Sequence, residues 1–246
     1  MWVWFHKLGS PKYFWGFSQR LLPWLGAATV LSLAAGLLLA LVYSPPDYQQ
    51  GETVRIMYIH VPAAMMSMLI YVVMAVAGAI LLIWRMKMAE MVAAASAPIG
   101  ASFTLLALIT GSLWGKPMWG TWWAWDARLT SELILLFLYL GYMALYNAIE
   151  DRRSAGRAAA VLALVGVINI PIIHYSVEWW YTLHQGPTTQ GVRIAGSIHP
   201  AMRWPLFTMM IAFNLFYALV LLKRVRCLIL RQERDSAWVR ELVSEK

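Results

Sequence analysis

Three kinds of side chain in this sequence could do chemistry together: imidazole, indole and guanidinium. Trp114, Trp119, Trp122, Trp123 and Trp125 lie within twelve residues, in WGKPMWGTWWAW, although the whole 246-residue chain has fourteen tryptophans. Asp126 closes the run and Arg128 follows it. Four of the five histidines, His60, His174, His184 and His199, fall at or beyond the ends of apolar segments on one side of the chain's alternation; His6 is the exception. A neutral imidazole is a common ligand for iron, and two imidazoles from separate elements can clamp one metal between them.

Each of these residues also has a plain structural role open to it. A single histidine at a membrane edge can be a polar interface residue. His174 reads as a helix-packing or supporting residue and His199 as a loop residue. Tryptophan favours the headgroup layer, which accounts for Trp24, Trp84, Trp179, Trp180 and Trp204, but five in twelve positions is too dense for a belt serving two helices. If the stretch is helical, Trp119, Trp122, Trp123 and Asp126 share one face through i, i+3, i+4, i+7 spacing, while Trp125 points elsewhere. Gly115, Pro117 and Gly120 break regularity and permit close approach of backbone or ligand. A large, planar, apolar macrocycle with a metal at its centre, such as haem, fits such a surface. Arg55 and Arg128 can pair with its carboxylates, or serve as interface bases, Arg128 also as an i, i+4 partner of Glu132. Glu132, just inside an apolar segment, marks an internal or solvated position. Asp126 can orient a histidine or accept indole N–H bonds.

The elements that must position these groups are membrane helices. Hydrophobic residues make up 61% of the chain and charged residues 13%, against roughly 25% charged in soluble domains, and the mean hydropathy is +0.60. The expected fold is an all-α integral membrane protein forming one polytopic domain over residues 1–246. Six spans are drawn at roughly Leu21–Val42, Pro62–Trp84, Val92–Leu113, Leu129–Ala148, Ala158–Val177 and Trp204–Leu222, each long enough to cross about 30 Å of hydrocarbon. Pro62 suits a first helical position and Pro171 a kink. Of the twenty Lys and Arg residues, fifteen lie in the two tails and the loops after the second and fourth spans; Arg55, Lys116, Arg128, Arg193 and Arg203 lie on the other side. The positive-inside rule then puts both termini in the cytoplasm and the Trp-rich amphipathic segment, residues 114–128, outside.

Several function classes drop out. The net charge of +8 is a matter of membrane topology and lipid contact rather than nucleic-acid binding. The aromatic, basic N-terminal tail reads as interfacial, and the basic C-terminal tail as an anchor on anionic lipid or a docking site for a partner. The only cysteine, Cys227, cannot form an internal disulfide, and there is no CxxCH for covalent haem. No Walker motif is present, and no catalytic motif, so the chain reads as a non-enzyme.

The residues then carry a resemblance. WGTWWAWD, Trp119 to Asp126, matches the Trp-rich "WWD" signature of haem-handling proteins of cytochrome c maturation, and its surroundings RIMYIHVPAA, GSLWGKPMWGTWWAWDARLTSELILLFLYLGY and IPIIHYSVEWWYTLHQG resemble the haem exporter protein C (CcmC) family over essentially the whole chain. The resemblance implies a multi-pass protein of the bacterial inner membrane that holds haem b (iron protoporphyrin IX) on the periplasmic side. It implies that the WWD stretch supports the macrocycle and that His60 and His184 ligate the iron. It implies delivery to a periplasmic haem chaperone (CcmE-type), with a small single-span protein (CcmD-type) and ABC transporter subunits (CcmA/CcmB-type) as partners in the lipid bilayer. The cofactor-binding set expected is therefore Trp114, Trp119, Gly120, Trp122, Trp123, Trp125, Asp126, Arg55 and Arg128, with His60 and His184 on the metal. The alternative is a b-type cytochrome subunit exchanging electrons with quinone, which would place its haem histidines within facing spans.

Overall fold

The computed structural model of the protein describes residues 7, 9–184, 189–190, 193–194 and 198–244. His6 lies outside the described residues. The described chain is helical apart from two short paired strands. It runs through α1 (Pro11–Leu38), α2 (Met57–Trp84), α3 (Lys87–Trp119), α4 (Ala127–Ala148), α5 (Arg152–Gly166), α6 (Asn169–Trp179), β1 (Thr189–Gln190), antiparallel β2 (Arg193–Ile194), α7 (Pro200–Gln232) and α8 (Ala237–Ser244). Six segments are long and apolar enough to cross a membrane: Pro11–Tyr43, Glu52–Trp84, Lys87–Trp119, Ala127–Ala148, Arg152–Trp179 and Pro200–Gln232.

The segments agree in number with the spans read from hydropathy but not in their bounds. The second was expected to open at Pro62. Instead a 3-10 turn, Glu52–Ile56, leads into α2 at Met57, so Pro62 lies inside the helix and His60 in its first turns. A proline there forfeits one backbone hydrogen bond; burial of Met57 and of Tyr58, whose hydroxyl bonds Ser44, outweighs it. Pro98 lies well inside α3. The fifth span is two helices, α5 and α6, parted at Val167 and Ile168 just before Pro171, which needs no N–H partner so early in α6.

At 33 residues, α3 is about 50 Å long, well beyond a hydrocarbon core of about 30 Å. Its last turns carry Trp114 and Trp119. The helix ends because Gly120 takes a left-handed conformation (φ 76°), its N–H returning to the Lys116 carbonyl at 3.0 Å, a conformation glycine adopts without penalty. The next helix, α4, begins because Asp126 Oδ1 accepts the Leu129 N–H at 2.8 Å, an N-cap.

The core is centred on α2 and α3, the most extensively packed pair, with α4, α5 and α7 around them and α1 resting on α7. Its buried polar groups are bonded across helices. Ser67 of α2 donates to the buried Glu132 of α4 at 2.7 Å, and the Tyr139 hydroxyl donates to the Ser67 carbonyl at 2.6 Å. Glu132 is thus internal, as its position in the sequence suggested. At the far end Tyr146 donates to the buried Glu90 at 2.7 Å.

Helix α3 can approach the Tyr139 ring because residue 100 is glycine: a Cβ there would fall 2.2 Å from Tyr139 Cζ. The ring is wholly buried and its hydroxyl is tied to Ser67, so it cannot yield. Gly100→Ala is expected to destabilise the bundle by about 1–3 kcal/mol, read as a lower midpoint of thermal unfolding in detergent. Gly26→Ala, where nothing lies within 4 Å, is expected to be neutral or to stabilise by up to about 1 kcal/mol.

Candidate functional site

Two histidines far apart in the chain meet at the tryptophan end of the bundle. His60, near the start of α2, and His184, beyond the end of α6, have ring centroids 6.1 Å apart and planes inclined by 26°. His60 is only 8% exposed. Its Nδ1 lies 3.0 Å from the Ala107 carbonyl and 3.1 Å from Thr110 Oγ1, both on α3. A carbonyl can only accept, so Nδ1 carries the proton and Nε2 of the neutral ring keeps its lone pair. The approach depends on Gly111, where a Cβ would come within 3.0 Å of His60 Cε1.

His184 follows a segment, Trp180–His184, with no helix of its own. Its backbone N–H donates to Thr182 Oγ1 at 3.1 Å, and the Thr182 hydroxyl in turn donates to Asp126 Oδ2. Asp126 thus divides its carboxylate, one oxygen capping α4 and the other holding Thr182. The two roles expected of it were orienting a histidine and accepting an indole N–H. Its oxygens go to Leu129 and Thr182 rather than to an imidazole or an indole.

The tryptophans do not form the single helical face that the spacing suggested, because the helix stops at Gly120 and residues 121–126 are irregular. Trp114 and Trp119 meet the imidazoles edge to face: Trp114 against His60 and Trp119 against His184, each with centroids 5.8 Å apart. Trp123 and Trp125 pack on each other at 5.4 Å, and Trp122 lies under Lys116 Nζ at 5.8 Å. Trp122 and Trp125 are 56% and 78% exposed. The Trp123 indole N–H is buried with no acceptor among the described residues.

The two arginines are placed differently from each other. Arg128 donates to the Ile173 carbonyl of α6 at 3.1 Å, so the i, i+4 hydrogen bond to Glu132 is not made. Arg55 is bound by Glu52 and donates to the Ala40 carbonyl at 2.6 Å, a carbonyl in the wide π turn Leu39–Tyr43 that ends the first span. His174 is exposed and its ring meets only its neighbour Tyr175 among the described residues. His199 caps α7, accepting the Ala201 N–H at 3.3 Å.

Reading the sequence missed Thr182, Gly111, Thr110 and Gln50. Gln50 accepts the Trp114 indole N–H at 2.7 Å from a turn in which Asp47 Oδ1 takes the N–H groups of Gln49 and Gln50, each at 2.9 Å. The signals were present but weak: a Thr two residues before a His is a common local backbone bond, and Asp47 is an ordinary turn residue.

Metal–imidazole bonds are about 2 Å long and a ring centroid lies about 1 Å behind its nitrogen, so one ion held from both sides needs centroids about 6 Å apart. The pair has that separation. No group of three or more His, Cys, Asp or Glu able to hold a bare ion gathers among the described residues. Two imidazoles suit a metal that brings its own equatorial nitrogens, which is the donor set of a porphyrin.

Comparison with known proteins agrees in direction. A sequence model of the family described as "Heme exporter protein C" matches residues 4–240. The chain is 55% identical over 246 residues to Heme exporter protein C of Escherichia coli K12, covering all of this chain and 99% of the relative. It is 53% identical over 230 residues to that of Bradyrhizobium diazoefficiens (93% and 86%) and 45% over 242 residues to that of Haemophilus influenzae (98% of each).

The tie between Gln50 and Trp114 holds the 43–51 loop against the end of α3. Gln50→Leu removes the acceptor at a cost of about 1 kcal/mol, and limited proteolysis within residues 43–51 is expected to speed up while cleavage elsewhere stays as in the parent.

Proposed function

The chain belongs to the haem exporter protein C (CcmC) family, and we propose that it binds haem b at the periplasmic face of the bacterial inner membrane. There it presents the haem to a periplasmic haem chaperone for cytochrome c biogenesis. The observation that carries this reading is the His60–His184 pair, spaced for one iron and with the His60 tautomer set by a carbonyl. The orientation is read from charge in the sequence: fifteen of the twenty Lys and Arg residues fall in the two tails and the loops after the second and fourth spans, and the positive-inside rule supports a tryptophan end that faces outside.

In this role His60 would offer Nε2 to the iron, and the bond from Nδ1 to Ala107 keeps the ring oriented. His184 closes the other side. Two imidazoles on the iron would leave oxygen no open site there. Trp114 and Trp119 line the two imidazoles, and Trp122, Trp123 and Trp125 extend an aromatic surface outward. Arg128 and Arg55, each with guanidinium nitrogens beyond those bonded to carbonyls, supply the positive charge for the propionates, and Gly120 lets the chain turn without a side chain in the way. The exposed Trp122 and Trp125 leave an edge that a chaperone of CcmE type can reach. A single-span partner of CcmD type and ABC subunits of CcmA/CcmB type complete the assembly in this reading, with the ATPase supplied by those subunits.

The b-type cytochrome alternative calls for both histidines within facing spans. His60 meets that condition; His184, on a non-helical segment beyond α6, does not.

His60→Ala and His184→Ala, made singly in the full-length protein, are expected to lower co-purified haem or to convert its absorption spectrum from six- to five-coordinate. Added imidazole is expected to restore the parent spectrum. If both variants keep the parent's spectrum and haem load, the axial assignment is lost.

A further inference from the structure

We infer that Thr182 is a positioning residue for His184, carrying the fixed position of Asp126 at the head of α4 to the backbone of the second histidine. The inference rests on the reading of His184 as an iron ligand. Its evidence is a bonded chain that joins residues remote in sequence: Asp126 to Thr182, and Thr182 to the N–H of His184.

His184 needs such a pin because of where it lies. Helix α6 ends when the Trp180 N–H returns to the Ser176 carbonyl at 3.1 Å, and Trp180–His184 continues without regular structure. Asp126 is itself held, since its other oxygen caps α4 through Leu129. A hydroxyl donates once and accepts twice. Thr182 gives its proton to the carboxylate, a charge-assisted bond, and receives the His184 N–H on a lone pair. Its β-branch narrows the side-chain rotamers, so the hydroxyl works as a short strut. The Trp119 ring edge then sets the side on which the imidazole lies. Thr182 acts through the backbone of His184, not on the iron.

Three substitutions separate this role from general structure. Thr182→Val keeps the shape and removes both hydrogen bonds. Thr182→Ser keeps both bonds and drops the methyl. Asp126→Ser still caps α4 but is too short to reach Thr182, and it carries the test if Thr182→Val does not fold. The experiment uses the full-length protein purified with its haem, read by absorption spectrum and by titration with imidazole, beside His184→Ala. Thr182→Val and Asp126→Ser are expected to retain haem but show a five-coordinate fraction, and to take up imidazole at concentrations at least tenfold below those that affect the parent. Thr182→Ser is expected to match the parent. If Thr182→Val or a folded Asp126→Ser shows the parent's spectrum and imidazole response while His184→Ala does not, the positioning role is overturned and the axial reading stands. If His184→Ala also leaves the spectrum unchanged, the axial reading fails and this inference falls with it.

Discussion

The hydrogen bond between His60 and the Ala107 carbonyl is the contact from which the candidate site is built. Inside a helix that carbonyl already accepts the N–H four residues on, which belongs to Gly111. Its second lone pair is reachable from α2 only if residue 111 carries nothing over it, and a Cβ there would meet His60 Cε1 at 3.0 Å. Close packing of α2 on α3, a small residue at one position and an acceptor-only partner together decide which imidazole nitrogen is free. The chemistry of the ring follows from helix packing.

The second histidine is held on other terms. His60 belongs to one of the two most extensively packed helices. His184 belongs to an irregular segment, and its backbone is bonded through one hydroxyl to one carboxylate. An irregular segment opens locally at lower cost than a buried, extensively packed helix.

The sequence made the two histidines, the tryptophan cluster and the six apolar segments legible, because each is a matter of residue type or of long hydrophobic runs. It did not make the local path of the chain legible. Trp119, Trp122 and Trp123 have the spacing of one helical face, yet a single left-handed glycine at 120 ends the helix and sends the rings in separate directions. Pro62 looked like a helix start, and tertiary burial of Met57 and Tyr58 carried the helix back past it. Thr182 gave only the weak local signal of a Thr two residues before a His, because its other partner, Asp126, lies 56 positions away. Pairings of that kind depend on how helices come together, which hydropathy does not encode.

The same pairings give the WWD stretch a mechanical role besides its aromatic one. His60 is referenced to α3, through Ala107 and Thr110. The His184 side is referenced to the head of α4 twice: Asp126 holds Thr182, and Arg128 holds the Ile173 carbonyl of α6, the helix from which the His184 segment issues. Helices α3 and α4 are consecutive, joined in the chain by residues 120–126, and they also pack on each other, as at Gly100 and Tyr139. The tryptophan stretch therefore runs between the two supports, whose separation is set by helix packing. Within that link Trp123 packs on Trp125 and Trp122 lies under Lys116, so the exposed rings of Trp122 and Trp125 belong to the same short segment that carries Asp126 to the head of α4.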